Sequence, residues 1–242
     1  MMKKLLLSLT TTLLLTSSIA VAQEEKQSSA VSVDYSVDLV SRYVWRGLLY
    51  SANPNIQPTI SLTAGNFSVG SWASYGMSQE YYSEVDLFAT YSIGNFSFTV
   101  YDYYNEYESK LDSADYFHWD RKTTGHALEG TLAWSGTESF PLSITGAVFF
   151  YGNDRNSTTL DQNYSTYLEL GYPVTLGDYN IDLFIGGTFN EGLYNDEANI
   201  VNVGFKTSKE IEITDKFKLP VSATFAVNPA KEDIFFVVGI TL

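Results

Sequence analysis

Only two imidazoles occur in the chain, His118 and His126. An imidazole can act as general base for a serine hydroxyl, and such triads assemble in space rather than in sequence. His126 is therefore where a lipid hydrolase could be built, the alternative being a rim histidine that faces water. Local signatures of other chemistries are missing: no G-x-x-x-x-G-K-[ST], H-E-x-x-H, G-x-S-x-G or G-x-G-x-x-G is present. The absence of cysteine removes disulfides, thiolate metal sites and Cys nucleophiles. Carboxylates gather in one aromatic stretch, with Glu106, Glu108, Asp112, Asp115 and Asp120 among Tyr103, Tyr104, Tyr107, Tyr116, Phe117 and Trp119. Such a segment could fold inward as a constriction or hold Ca²⁺ through its oxygens, and a solvated loop is the simpler reading. The segment Asp154 to Asp161 lacks the Gly and Glu of an EF-hand loop, so no metal site and no cofactor are expected.

Charge narrows the partners. The 242 residues carry 28 acids against 14 bases, a net charge of -14, which opposes the phosphate neutralisation that nucleic-acid binding relies on. Aromatic residues make up 15% and charged residues only 17%, against about 25% charged in ordinary soluble domains.

The elements that must position these groups show in the spacing. From Val33 to Arg46 the odd positions read Val33, Tyr35, Val37, Leu39, Ser41, Tyr43, Trp45 and the even ones Asp34, Ser36, Asp38, Val40, Arg42, Val44, Arg46. One face is apolar and the other polar, the period-two signature of a strand. About twelve such runs of roughly ten residues, a length that spans a bilayer when tilted, centre near 39, 60, 72, 88, 100, 130, 146, 168, 184, 203, 222 and 238. Short connections at 65–66, 94–95, 136–141, 173–178 and 208–216 alternate with longer, polar ones at 47–55, 78–82, 105–124, 152–162, 190–197 and 228–233. The expected fold is all-β: a transmembrane antiparallel up-and-down β-barrel of about twelve strands, with short periplasmic turns and longer outer loops.

Charges in the strand bodies test that register. Asp34, Asp38, Arg42, Arg46, Glu84, Asp86, Glu129, Glu169, Asp182 and Lys206 all fall opposite the apolar set of their own strand, which marks them as lumen-lining. Asp102 breaks the rule, sharing parity with Phe96, Phe98 and Val100, near a loop where water can reach it. Phe67, Tyr91, Phe96, Trp134, Tyr172, Tyr179 and Phe217 at the short-turn side, and Trp45, Tyr75, Phe150, Tyr164 and Phe189 at the other, are placed as two interfacial girdles.

Residues 1–22, with Lys3 and Lys4, an apolar run from Leu5 to Leu15 and a final Ala20-Val21-Ala22, have the layout of a secretory signal peptide. Residues 23–31 then form a mobile arm and 32–242 the barrel, whose last strand, Ile234 to Leu242, runs to the terminus like an outer-membrane assembly signal, with Leu where an aromatic is usual. The expected location is the bacterial outer membrane.

The stretch Asp38 to Gly47, with Asn55-Ile-Gln-Pro-Thr59 and a Gly-Asn turn, resembles the opening of the TorF-like porins, the Gcw_chp family. Ser41, Tyr43, Trp45, Arg46, Gly47 and Gln57 occupy the places of its Ser-x-Tyr-x-aromatic-Arg-Gly strand and Gln-containing second strand, and the likeness is sharpest over 38–76. It implies an outer-membrane barrel that forms a pore for a solute not fixed by the family.

Seven lumen acids oppose three bases, a net of −4, so the leading functional expectation is a porin-like channel for passive diffusion of ions or small polar solutes, preferring cations. Arg42 and Arg46 then form either a selective eyelet with facing carboxylates or a plug of buried ion pairs. The alternatives are a closed structural or surface-interaction barrel, a barrel-borne lipid hydrolase at His126, and a soluble periplasmic barrel. Expected partners are outer-membrane lipid, lipopolysaccharide and small polar solutes, with no nucleic acid; the oligomeric state is not legible.

Overall fold

Period-two patterning can close its hydrogen-bond ladder only by pairing every wall strand on both sides, and the chain does so. The computed structural model describes residues 31–78, 82–107, 115–177 and 179–242. The segment read as a signal peptide, nearly all of the expected N-terminal arm, and Glu108 and Asp112 of the acidic loop lie outside them. Fourteen strands follow in order: β1 (Ser32–Val40), β2 (Tyr43–Trp45), β3 (Leu48–Ser51), β4 (Asn55–Ala64), β5 (Phe67–Gly76), β6 (Tyr82–Ile93), β7 (Phe96–Tyr107), β8 (His126–Trp134), β9 (Ser143–Gly152), β10 (Thr166–Leu176), β11 (Tyr179–Thr188), β12 (Asn199–Thr214), β13 (Phe217–Asn228) and β14 (Asp233–Thr241).

Twelve of them make a closed antiparallel barrel in which β1 meets β14 on one side and β4 on the other. The seam is short: Asp38, Leu39 and Val40 pair with Thr241, Ile240 and Gly239, and the Val37 and Leu242 amides and carbonyls bond reciprocally. This is the up-and-down barrel read from the sequence, with the same strand number. Two short connections read from the sequence contract. Strand β10 runs on through Pro173 to Leu176, and β12 runs to Thr214, so the ladder overrides a Pro in one case and a run of charges in the other. At the Ala64/Phe67 and Ile93/Phe96 hairpins the chain reverses in two residues, with Gly65 and Gly94 at positive φ in the first turn position.

The first strand departs most from expectation. Alternation from Val33 to Arg46 predicts one long strand, but the wall strand ends at Val40 and residues 43–51 form a separate hairpin, β2–β3, outside the closed sheet. Trp45 pairs directly with Leu48, so Arg46 and Gly47 alone make the turn. Both have positive φ, 48° and 76°, the pair of left-handed residues that a two-residue type I′ hairpin requires. For Arg46 that geometry costs roughly 1–2 kcal/mol.

The outer wall is apolar. Tyr35, Ile60, Leu132, Leu183, Ile185 and Phe236 point away from the lumen and are exposed, as are the short-turn aromatics Phe67, Tyr91, Phe96, Tyr172, Tyr179 and Phe217. Trp45, expected in the opposite girdle, is instead in the lumen with the hairpin. Replacing Ile185 by Lys places a charge in the middle of the belt and is expected to lower stability by about 2–4 kcal/mol in lipid vesicles. Chemical denaturation after refolding into vesicles measures it, and an unchanged midpoint would show that no hydrocarbon covers this face.

Candidate functional site

The buried core of this protein is inside the barrel, where the hairpin packs. Leu48 of the hairpin joins Tyr101, Tyr103, Ala147, Phe149, Tyr167, Tyr194 and Val201, with Trp45 and Tyr50 against them. Trp45 lies edge-on to Tyr103 and Phe149 and stacks on Tyr194 at 5.8 Å between ring centroids. Tyr194 comes from the connection between β11 and β12, which also bends inward.

At the centre, Arg46 meets Glu129. One guanidinium nitrogen donates to Glu129 Oε2 at 2.5 Å and the other to Oε1 at 3.0 Å, a bidentate fork. The first nitrogen also donates to the Tyr194 hydroxyl at 2.5 Å. Its charge lies over the rings of Trp45 at 4.4 Å and Tyr167 at 4.6 Å. Glu129 accepts further hydrogen bonds from Thr131 at 2.7 Å and Tyr103 at 3.2 Å. A buried carboxylate is tolerated when its lone pairs are filled and its charge is paired, and both conditions hold here. In the loop-borne Tyr194, burial pushes the phenol pKa up and Arg46 draws it back in part.

The turn itself is fitted to the wall. A Cβ at Gly47 would collide with the Val201 carbonyl on β12, so only glycine reaches this close. The Gly47 carbonyl accepts a hydrogen bond from Asn228 Nδ2 at 3.0 Å. Where the hairpin returns to the wall, Asn55 donates to the Asn53 carbonyl, Ser74 donates to Asn55, and Gln57 donates to Ser74.

The expected lumen residues separate into groups. Glu169 accepts from the Tyr167 hydroxyl at 2.5 Å and from Asn202 at 3.1 Å. Asp38 accepts from Thr241 at 2.5 Å. Asp182 sits directly opposite Lys206 across β11 and β12. Glu84 and Asp86 are buried on β6 beside a second aromatic cluster of Tyr43, Trp72 and Tyr82. Asp34 is exposed near the short-turn end. Arg42 is exposed at the bend between β1 and β2, so the structure does not bring it to Arg46 and Glu129. Sequence reasoning named Tyr103 only among the loop aromatics and missed Tyr167, Tyr194 and Asn202. Tyr103, Tyr167 and Asn202 carried a usable signal, since they share parity with Tyr101, Glu169 and Lys206 on the polar side of their strands.

His126 does something else. It sits on the outward-facing side of β8, fully buried, with Nδ1 2.8 Å from Asp102 and Nε2 2.6 Å from the Tyr116 carbonyl. Trp119 stacks on its ring at 3.7 Å, and Tyr104 and Tyr116 close the sides. It is not the water-facing rim histidine expected, because the segment 115–119 folds over it. Nε2 meets a carbonyl rather than a serine hydroxyl, which is the geometry of a clamp and not of a general base. The same contact accounts for Asp102, whose outward charge is met by the imidazole. Farther along the loop, Asp120 is held below the usual carboxylate range by the Lys122 amide and the Thr123 hydroxyl.

No protein-family model matches the chain, and no curated protein matches it in sequence.

Arg46→Ala leaves Glu129 buried without its cation and is expected to cost about 3–5 kcal/mol. The double substitution R46M/E129M removes both charges and should recover most of that loss. Denaturant unfolding of the three proteins is the check, and additive losses would deny that the two side chains act as a pair.

Proposed function

We propose that this protein is an outer-membrane, porin-like barrel, exported by a cleaved signal peptide, that passes small polar solutes or ions by passive diffusion and prefers cations. The observation that carries the reading is the β2–β3 hairpin seated across the lumen on the Arg46–Glu129 pair: an eyelet is built where a channel needs its narrowest point. Toward the short-turn end, the lumen positions include Ser61, Ser68, Thr90, Thr145 and Thr224, small hydroxyl side chains that are partly exposed. The acid excess among the lumen residues supports cations over anions. The resemblance of residues 38–76 to TorF-like porins agrees, and its Tyr-x-Trp-Arg-Gly segment coincides with the hairpin.

A second reading has its own observation. The rings of Trp45, Tyr103, Phe149, Tyr167 and Tyr194 pack as a domain core does, as they would in a closed barrel of structural or surface-binding role.

Planar-bilayer conductance of the folded protein under a KCl gradient separates the two. Small conductance steps with a cation-selective reversal potential are expected, with larger steps for R46A/E129Q, which unseats the hairpin. An inserted barrel that stays silent in both forms would overturn the channel reading in favour of the closed one.

A further inference from the structure

Glu84 and Asp86 lie side by side, at 3% and 4% exposure, on adjacent inward positions of β6. Glu84 accepts from the Tyr82 hydroxyl at 2.5 Å and, with the Asn105 amide turned so that both groups are satisfied, from Asn105 Nδ2 at 3.2 Å. Among the described residues no base pairs with either acid; the ion pairs there join Arg46 to Glu129, His126 to Asp102 and Lys218 to Glu210.

A second observation is independent of the charge. Four buried side-chain polar atoms among the described residues lack a hydrogen-bond partner, and three of them are Thr59 Oγ1, Trp72 Nε1 and Asp86 Oδ1. Thr59 pairs with Trp72 across β4 and β5, and Trp72 with Asp86 across β5 and β6. A hydroxyl, an N–H donor and a carboxylate acceptor therefore stand unsatisfied in one row on the lumen side of three neighbouring strands. Unpartnered buried groups are costly, so a row of them marks a place built for a polar guest. Aromatic faces cover it: Tyr43 lies 5.3 Å from Trp72 and 6.1 Å from Tyr82, ring centre to ring centre, and Tyr50 lies 5.3 Å from Tyr43.

We infer that the row Thr59, Trp72 and Asp86, with Glu84 beside it and Tyr43 over it, binds a small hydroxylated amine in its protonated form. The ammonium supplies the positive charge that two buried acids lack and donates N–H to Asp86 Oδ1. The aromatic faces favour such a weakly hydrated cation through the ring quadrupole. A hydroxyl on the same molecule accepts from Trp72 Nε1 and bonds to Thr59. A divalent metal fits less well, because no group of three or more carboxylate or imidazole ligands converges among the described residues. The site deepens the proposed function, naming a class of cation for the same lumen, and it rests on that reading for the route by which the amine arrives.

The test is calorimetric titration of the folded, full-length protein in detergent micelles at pH 8 with ethanolammonium chloride, at ionic strength held constant with KCl. Saturable one-site binding is expected, at least ten-fold weaker in E84Q/D86N and weakened also in W72F, while D215N at the remote turn, with its single charge change, binds as the parent does. No saturable binding by the folded parent, as a proton shared by the two acids would produce, overturns the inference, and so does equal affinity in E84Q/D86N. A silent bilayer with intact binding would defeat the channel alone, and conductance without binding would defeat the site alone.

Discussion

Glu129 is a carboxylate drawn out of water into the middle of a barrel, and the arrangement around it follows from the need to compensate that charge. Its cation does not come from the wall. It comes from a hairpin that leaves the wall at Ser41, turns in two residues and presents Arg46 bidentately. The left-handed conformation of Arg46 is unfavourable by itself, and strain of that kind persists where the surroundings over-determine it. Here the over-determination is visible: a fork on Glu129, a hydroxyl from Tyr194, two aromatic faces and the Asn228 bond to the next carbonyl.

The same rule of compensation organises the other charges. Asp102 faces outward, against the pattern of its strand, and His126 with a lid of Trp119 and Tyr116 answers it. Lys206 stands opposite Asp182, and Tyr167 with Asn202 serves Glu169. The wall thus divides into an apolar outer surface and an inner one where nearly every charge is met locally, which leaves Glu84 and Asp86 as the unmatched part of the lumen.

Barrel and strand number were legible because a side-chain period of two is imposed by the backbone and repeated in every wall strand, from Val33 to Ile240. The lumen acids were legible for the same reason, since a charge on the wrong parity would face the apolar side. The hairpin was not. Tyr43 and Trp45 resume the alternation of Val37 and Leu39 after Ser41, so one polar residue is all that marks in the sequence pattern the point where β1 stops pairing. The break depends on pairing with distant strands: β4 begins opposite Val40, and Val238 takes the last bonds of Ser41. Tyr194 was equally hidden, because a loop residue that folds inward has no strand parity to betray it.

The bond from Asn228 to the Gly47 carbonyl joins residues 181 positions apart. Gly47 also rests on Val201, so the glycine of the tip is held by strands near the end of the chain while Arg46 beside it reaches Glu129 on β8, although the hairpin itself is among the first segments. Contacts of such long range form after local ones, because the intervening chain must first be ordered. The tip therefore lacks its full seat until β12 and β13 are in place. A half-built barrel holds the hairpin only in part, and its complete seating is a late act of maturation, a built-in sign that the wall has closed.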